Sequence, residues 1–104
     1  MNDIAIERRN RIRLTLAAYA YEFENESIMS DGEFDELAKK IRPEMSTIEG
    51  YHITKQIQRY RVLDKFFQTE FSPDTGQWIH KHPELQHLSW YYKKLRTSLL
   101  KNNG

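Results

Sequence analysis

Asp31 and Asp35 lie four residues apart in the run Met29-Ser30-Asp31-Gly32-Glu33-Phe34-Asp35-Glu36-Leu37, with Phe34 beside them. On a helix, residues at that spacing share a face. Two carboxylates next to a ring suit a ligand that has hydroxyls to donate and a flat surface to stack. The same residues also make a well-built helix start. Ser30 followed three positions later by Glu33 is a capping box, in which each side chain satisfies the other's backbone amide. Met29 before the cap and Phe34 at the fourth helical position have the spacing of a hydrophobic staple. Asp31 and Glu33 in the first turn oppose the helix dipole, worth about 0.3–1 kcal/mol each, and Asp35 can pair with Lys39. Two features fit a plain helix less well. Asp31 and Asp35 repel each other across one face, and Gly32 costs about 1 kcal/mol relative to alanine.

The longer run Tyr21-Glu22-Phe23-Glu24-Asn25-Glu26-Ser27-Ile28-Met29-Ser30-Asp31-Gly32-Glu33-Phe34-Asp35-Glu36-Leu37 resembles the N-terminal helical subdomain of bacterial NAD-dependent DNA ligases. That subdomain reads tyrosine, then tyrosine or histidine, a short acidic turn, and I-S-D-x-E-Y-D-x-L, and the alignment needs no gap. The resemblance implies a site that closes over the nicotinamide mononucleotide half of NAD. Aromatics stack on the nicotinamide ring there, and aspartates bind ribose and amide groups. Carried over residue by residue, Tyr21 matches the first tyrosine, and Asp31 and Asp35 match the two aspartates. Phe34 matches the second tyrosine without its hydroxyl, so stacking is kept and a hydrogen bond is lost. Glu22 is a departure: it replaces an aromatic or histidine with a carboxylate that would repel the nucleotide phosphate. A second echo, Lys81-His82-Pro83-Glu84-Leu85, matches the H-P-E-L of the ligases but stands much farther along the chain. The lysine-x-aspartate-glycine adenylation motif is missing and 104 residues cannot hold a nucleotidyltransferase fold, so no ligase activity and no stand-alone catalysis are expected. The expected ligand-binding set is Tyr21, Glu22, Asp31, Phe34 and Asp35, with nicotinamide mononucleotide or NAD as the implied ligand.

Other constellations point elsewhere. Arg8, Arg9, Arg11 and Arg13 crowd one helix and could touch nucleic-acid phosphates, but Glu7, Glu22 and Glu24 on the same helix offset them. With 16 Lys and Arg against 15 Asp and Glu, the net charge of +1 gives no long-range pull toward nucleic acid or anionic lipid. His80, His82 and His87 are close in sequence, but Pro83 interrupts them and helical metal pairs want spacings of three or four, so no metal site is expected. Trp78, Trp90, Tyr91 and Tyr92 are dense enough that some should be exposed, which suits a protein partner or a homodimer. The alternative to a small-ligand module is therefore a helical accessory protein that binds protein or DNA through these aromatics and arginines.

The elements that must carry these residues are helices. Ile12, Leu16, Tyr19 and Phe23 mark one face of a helix from about Ile4 to Glu24, and Leu14, Ala17, Ala18 and Tyr21 mark the adjoining stripe. A second helix starts at Ser30, carries Phe34, Leu37, Ala38 and Ile41, and ends before Pro43. Ser46-Thr47-Ile48-Glu49 has the capping-box pattern for a third, with Ile53, Ile57, Tyr60, Leu63, Phe67 and Phe71 along it and Val62 and Phe66 widening the stripe. Ser72-Pro73-Asp74 reads as a cap, and the residues after it as a single turn or loop. Pro83 opens a last helix with Leu85, Leu88, Tyr92, Leu95 and Leu99 on one side. The fold expected for residues 1–104 is a single all-α domain, a compact bundle of about four main helices. The absence of cysteine excludes disulfides and thiolate chemistry. The charged N-terminus, with no apolar run in it, and the lack of a membrane-length apolar segment lead to the expectation of a cytoplasmic protein with no membrane partner.

Overall fold

The computed structural model describes residues 2–48 and 54–103. Helix α1, Asp3–Glu24, is the spine. Asn2 caps it by accepting from the Ala5 amide at 2.8 Å. At the far end Asn25 turns the chain at φ 54°, in the left-handed region that asparagine tolerates. Every residue from Leu14 to Ala20 is buried. Ala17, Ala18 and Ala20 are small, so neighbours approach the helix closely on several sides. Helix α2 (Asp31–Lys40), a 3-10 turn at Gln77–Lys81 and helix α4 (Leu85–Asn103) all pack on α1. Helix α3 (Thr54–Thr69) completes an all-α bundle. No helix among the described residues is long and apolar enough to cross a membrane.

The α2 start forms as its sequence predicts. The Glu33 amide donates to Ser30 Oγ at 3.1 Å and the Ser30 amide donates to Glu33 Oε1 at 3.3 Å. Leu37, Ala38 and Ile41 are buried. The expected Asp35–Lys39 pair is replaced by an exposed Lys39–Glu36 contact at 4.0 Å, which leaves Asp35 to face elsewhere. Two stripes are narrower than their periodicity predicts. Ile12, Phe23 and Val62 lie on the flanks of their faces and stay 50%, 43% and 54% exposed.

The third capping box is a correction. Ser46, Thr47 and Ile48 are not helical, while Glu49, Gly50 and Ile53 lie outside the described residues, as does the side chain of Leu99. Thr47 is instead buried, its amide donating to Asp64 Oδ2 at 2.9 Å and its hydroxyl to Oδ1 at 2.7 Å. A bond to a residue in α3 replaces a local cap. Ser72-Pro73-Asp74 is likewise a turn rather than a helix start, and α4 begins at Leu85, two residues after Pro83.

Trp78, on the 3-10 turn, is the centre of an aromatic cluster. Its ring lies 5.3, 5.7 and 6.0 Å from those of Phe71, Phe67 and Phe66. Beside it His82 is buried, with its ring edge-on to Phe66 and its Nδ1 accepting from the Glu84 amide at 3.0 Å. Burial pushes the His82 imidazole down from 6.5 to about 4, against the opposing pull of Glu84. In that interval the unfolded chain binds a proton that the folded chain refuses, so stability falls as pH falls. Between about pH 7 and about pH 5 the loss from this residue is about 2 kcal/mol. Urea unfolding of wild type and His82→Gln at both pH values checks this: the stability gap between them narrows by that amount at the lower pH.

Candidate functional site

An open cleft of about 370 Å³ lies between the C-terminal half of α1, the start of α2 and the turn ahead of the 3-10 segment. All five residues of the expected ligand set, Tyr21, Glu22, Asp31, Phe34 and Asp35, line it. The packing of α2 on α1 explains the convergence. The left-handed Asn25 reverses the chain, the Ser30 cap sets where α2 begins, and the first turn of α2 then faces the last turns of α1. Tyr21 is 63% exposed, whereas Phe34 is half-buried, packing against the hydrophobic core while still lining the cleft. Asp31 and Asp35 are exposed and carry no hydrogen bond or ion pair among the described residues. Glu22, at the edge, lies 3.6 Å from His80 Nε2.

The third wall is supplied by residues 74–77. A methyl group built on Gly76 would stand 3.4 Å from the Phe34 ring and 3.5 Å from Ala18, so this turn closes against both helices at van der Waals distance. Its members are Asp74, Thr75, Gly76 and Gln77, which sequence reasoning did not assign to the site. The Ser72-Pro73-Asp74 signature marks a turn there, but nothing local says that the turn faces α2. With Asp74 included, every ionisable side chain on the wall except Tyr21 is a carboxylate.

Comparison with protein-family models, with curated proteins and with solved structures finds no match to this chain. The geometry of the cleft therefore carries the functional reading.

The arginine set separates in space. Arg9 and Arg13 are exposed. Arg11 turns inward, 5% exposed, and spends its guanidinium on Glu7, Asp64 and two backbone carbonyls, so it is no part of a nucleic-acid surface. Arg8 is half-buried and donates to the Thr47 carbonyl. Among the described residues these four arginines do not share one exposed stripe. The histidines diverge too: His80 sits tilted against Phe23, His82 is buried and His87 stacks on Trp90. No group of three or more metal-ligating side chains comes together among the described residues. Trp90 and Tyr91 are exposed at 55% and 45%, while Trp78 and Tyr92 are buried.

Proposed function

We propose that this protein is a small, non-catalytic helical binding module whose α1–α2 cleft receives the ring-and-ribose half of a nicotinamide nucleotide. The observation that supports this most is the convergence of Tyr21, Asp31, Phe34 and Asp35 from two helices on one open cleft. Its volume of about 370 Å³ lies in the range of small-ligand pockets, roughly 300–1,000 Å³. The nicotinamide ring of the oxidised nucleotide is a flat cation. A cation over an aromatic face gains about 0.5–2 kcal/mol, and Tyr21 and Phe34 offer such faces. Ribose hydroxyls donate to Asp31 and Asp35 in charge-assisted hydrogen bonds. The carboxylates Glu22, Asp31, Asp35 and Asp74 favour the ring's charge and disfavour a phosphate. The phosphate therefore stays in solvent, and Glu22 acts against it without blocking the ring.

Thermal melts with nicotinamide mononucleotide, its unphosphorylated riboside, NAD and AMP test the reading. A ligand at about 100 times its Kd adds about 2.7 kcal/mol, which raises the Tm of a domain this size by roughly 10 °C or more. The riboside and the mononucleotide are expected to give that shift, the riboside at the lower concentration, and AMP none. Absence of a shift with both pyridinium ligands would overturn the proposal.

A further inference from the structure

A second cavity, separate from the cleft, lies between α1, α3 and α4 and measures about 130 Å³. Leu16, Leu63, Phe67 and Leu88 supply apolar wall. An apolar cavity of about 150 Å³ is known to hold one benzene ring, so this space suits a single six-membered ring. Its charged and polar side chains differ in kind from those of the cleft. Among the described residues the one carboxylate on the wall, Glu84, is held by Arg59 through hydrogen bonds of 2.7 and 2.9 Å. That guanidinium keeps the Glu84 carboxyl below the usual range. Arg8 brings a second guanidinium to the same wall.

His82 is the telling group. It lies on the cavity wall and is only 8% exposed. Its Nδ1 accepts from the Glu84 amide, so in the neutral ring the proton sits on Nε2. That N–H has no acceptor among the described residues. The N–H is not sealed from solvent, so an acceptor brought in by a ligand can reach it.

We propose that this cavity is a binding site for a small aromatic carboxylic acid, its ring among the leucines and Phe67 and its carboxylate accepting from His82 Nε2 on the arginine-bearing wall. The site does not depend on the cleft or on any nucleotide. Four probes separate its components on the full chain labelled with nitrogen-15: phenylacetate, its neutral isostere phenylacetamide, phenethylamine and acetate. Phenylacetate is expected to shift the amides of Leu63, Phe67, His82 and Leu88. Charge-assisted hydrogen bonds exceed neutral ones by roughly 1.4 kcal/mol, so phenylacetamide should bind about tenfold more weakly. Phenethylamine and acetate should leave those amides unmoved, one for its charge and the other for its missing ring. Leu63→Trp, which fills the cavity, should abolish the response. His82→Phe keeps a ring in place without the N–H, and should weaken phenylacetate while leaving phenylacetamide nearer its wild-type affinity. Equal affinity for the acid and the amide would overturn the assignment. So would shifts confined to other parts of the bundle, or no shift at any soluble concentration. Each of these outcomes is read on wild type, so the test stands even if a variant fails to fold.

Discussion

Arg11→Met is expected to destabilise the protein by about 3–5 kcal/mol, the cost of breaking a buried charge network by removing one partner. Arg11 donates to Glu7 Oε2 at 2.7 Å, to Asp64 Oδ1 at 2.8 Å, and to the carbonyls of Arg42 and Met45 at 2.9 and 3.0 Å. Glu7 and Asp64 are 2% and 6% exposed, so without the guanidinium two carboxylates stay buried with no opposing charge. The guanidinium also lies 4.8 Å from the centre of the Phe67 ring. This one side chain ties α1, the segment after α2 and α3 together. A loss of that size lowers Tm by at least about 12 °C in a domain of this length. Replacing Glu7, Arg11 and Asp64 together by apolar residues should not restore the wild-type value. Glu7 also accepts the Arg42 amide and Asp64 the buried Thr47 amide, and both donors would lose their acceptors. Arg9→Met and Arg13→Met, both at exposed positions, should stay within about 0.5 kcal/mol of wild type. Urea unfolding of the three single variants checks the contrast, and an Arg11→Met loss below 1 kcal/mol would contradict it.

Trp78→Ala should cost about 3–5 kcal/mol, as deletion of a buried aromatic does when its surroundings cannot collapse. Trp78 is 4% exposed and packed by three phenylalanines. Trp78→Phe should cost far less, about 1–2 kcal/mol, for a reason particular to this site. The indole Nε1–H is buried without an acceptor among the described residues. Phenylalanine gives up some volume but also removes that unsatisfied donor. Comparable losses for the two variants in urea unfolding would mean that the indole N–H is worth more than its surroundings show.

Local signals are legible in this sequence and long-range ones are not. The start of α2 is legible because the capping box is complete within four residues, and Ser30 and Glu33 bond as expected. Ser46-Thr47 carries a similar pattern, yet Asp64 takes Thr47 into a buried bond from 17 residues away. Arg11 reads as one of four surface arginines because charged residues are rarely buried unpaired. Its pairing with Glu7 is within one turn, but the partner that makes burial tolerable is 53 residues along. The cleft divides the same way. Tyr21, Asp31, Phe34 and Asp35 belong to one helix–turn–helix stretch and could be grouped from sequence, whereas the 74–77 wall arrives only through packing on Ala18 and Phe34. Period alone puts Ile12 and Val62 on the core faces, but period does not say how wide a face the neighbours cover.

The central claim, that the α1–α2 cleft is a ligand site, is tested most directly by melting wild type and Asp35→Ala in parallel with and without millimolar nicotinamide riboside. Asp35 is exposed and without a structural partner among the described residues, so the unliganded variant should melt within a few degrees of wild type. Wild type is expected to rise by roughly 10 °C or more, and Asp35→Ala by only a small fraction of that. No rise in wild type, or an equal rise in both proteins, would contradict it.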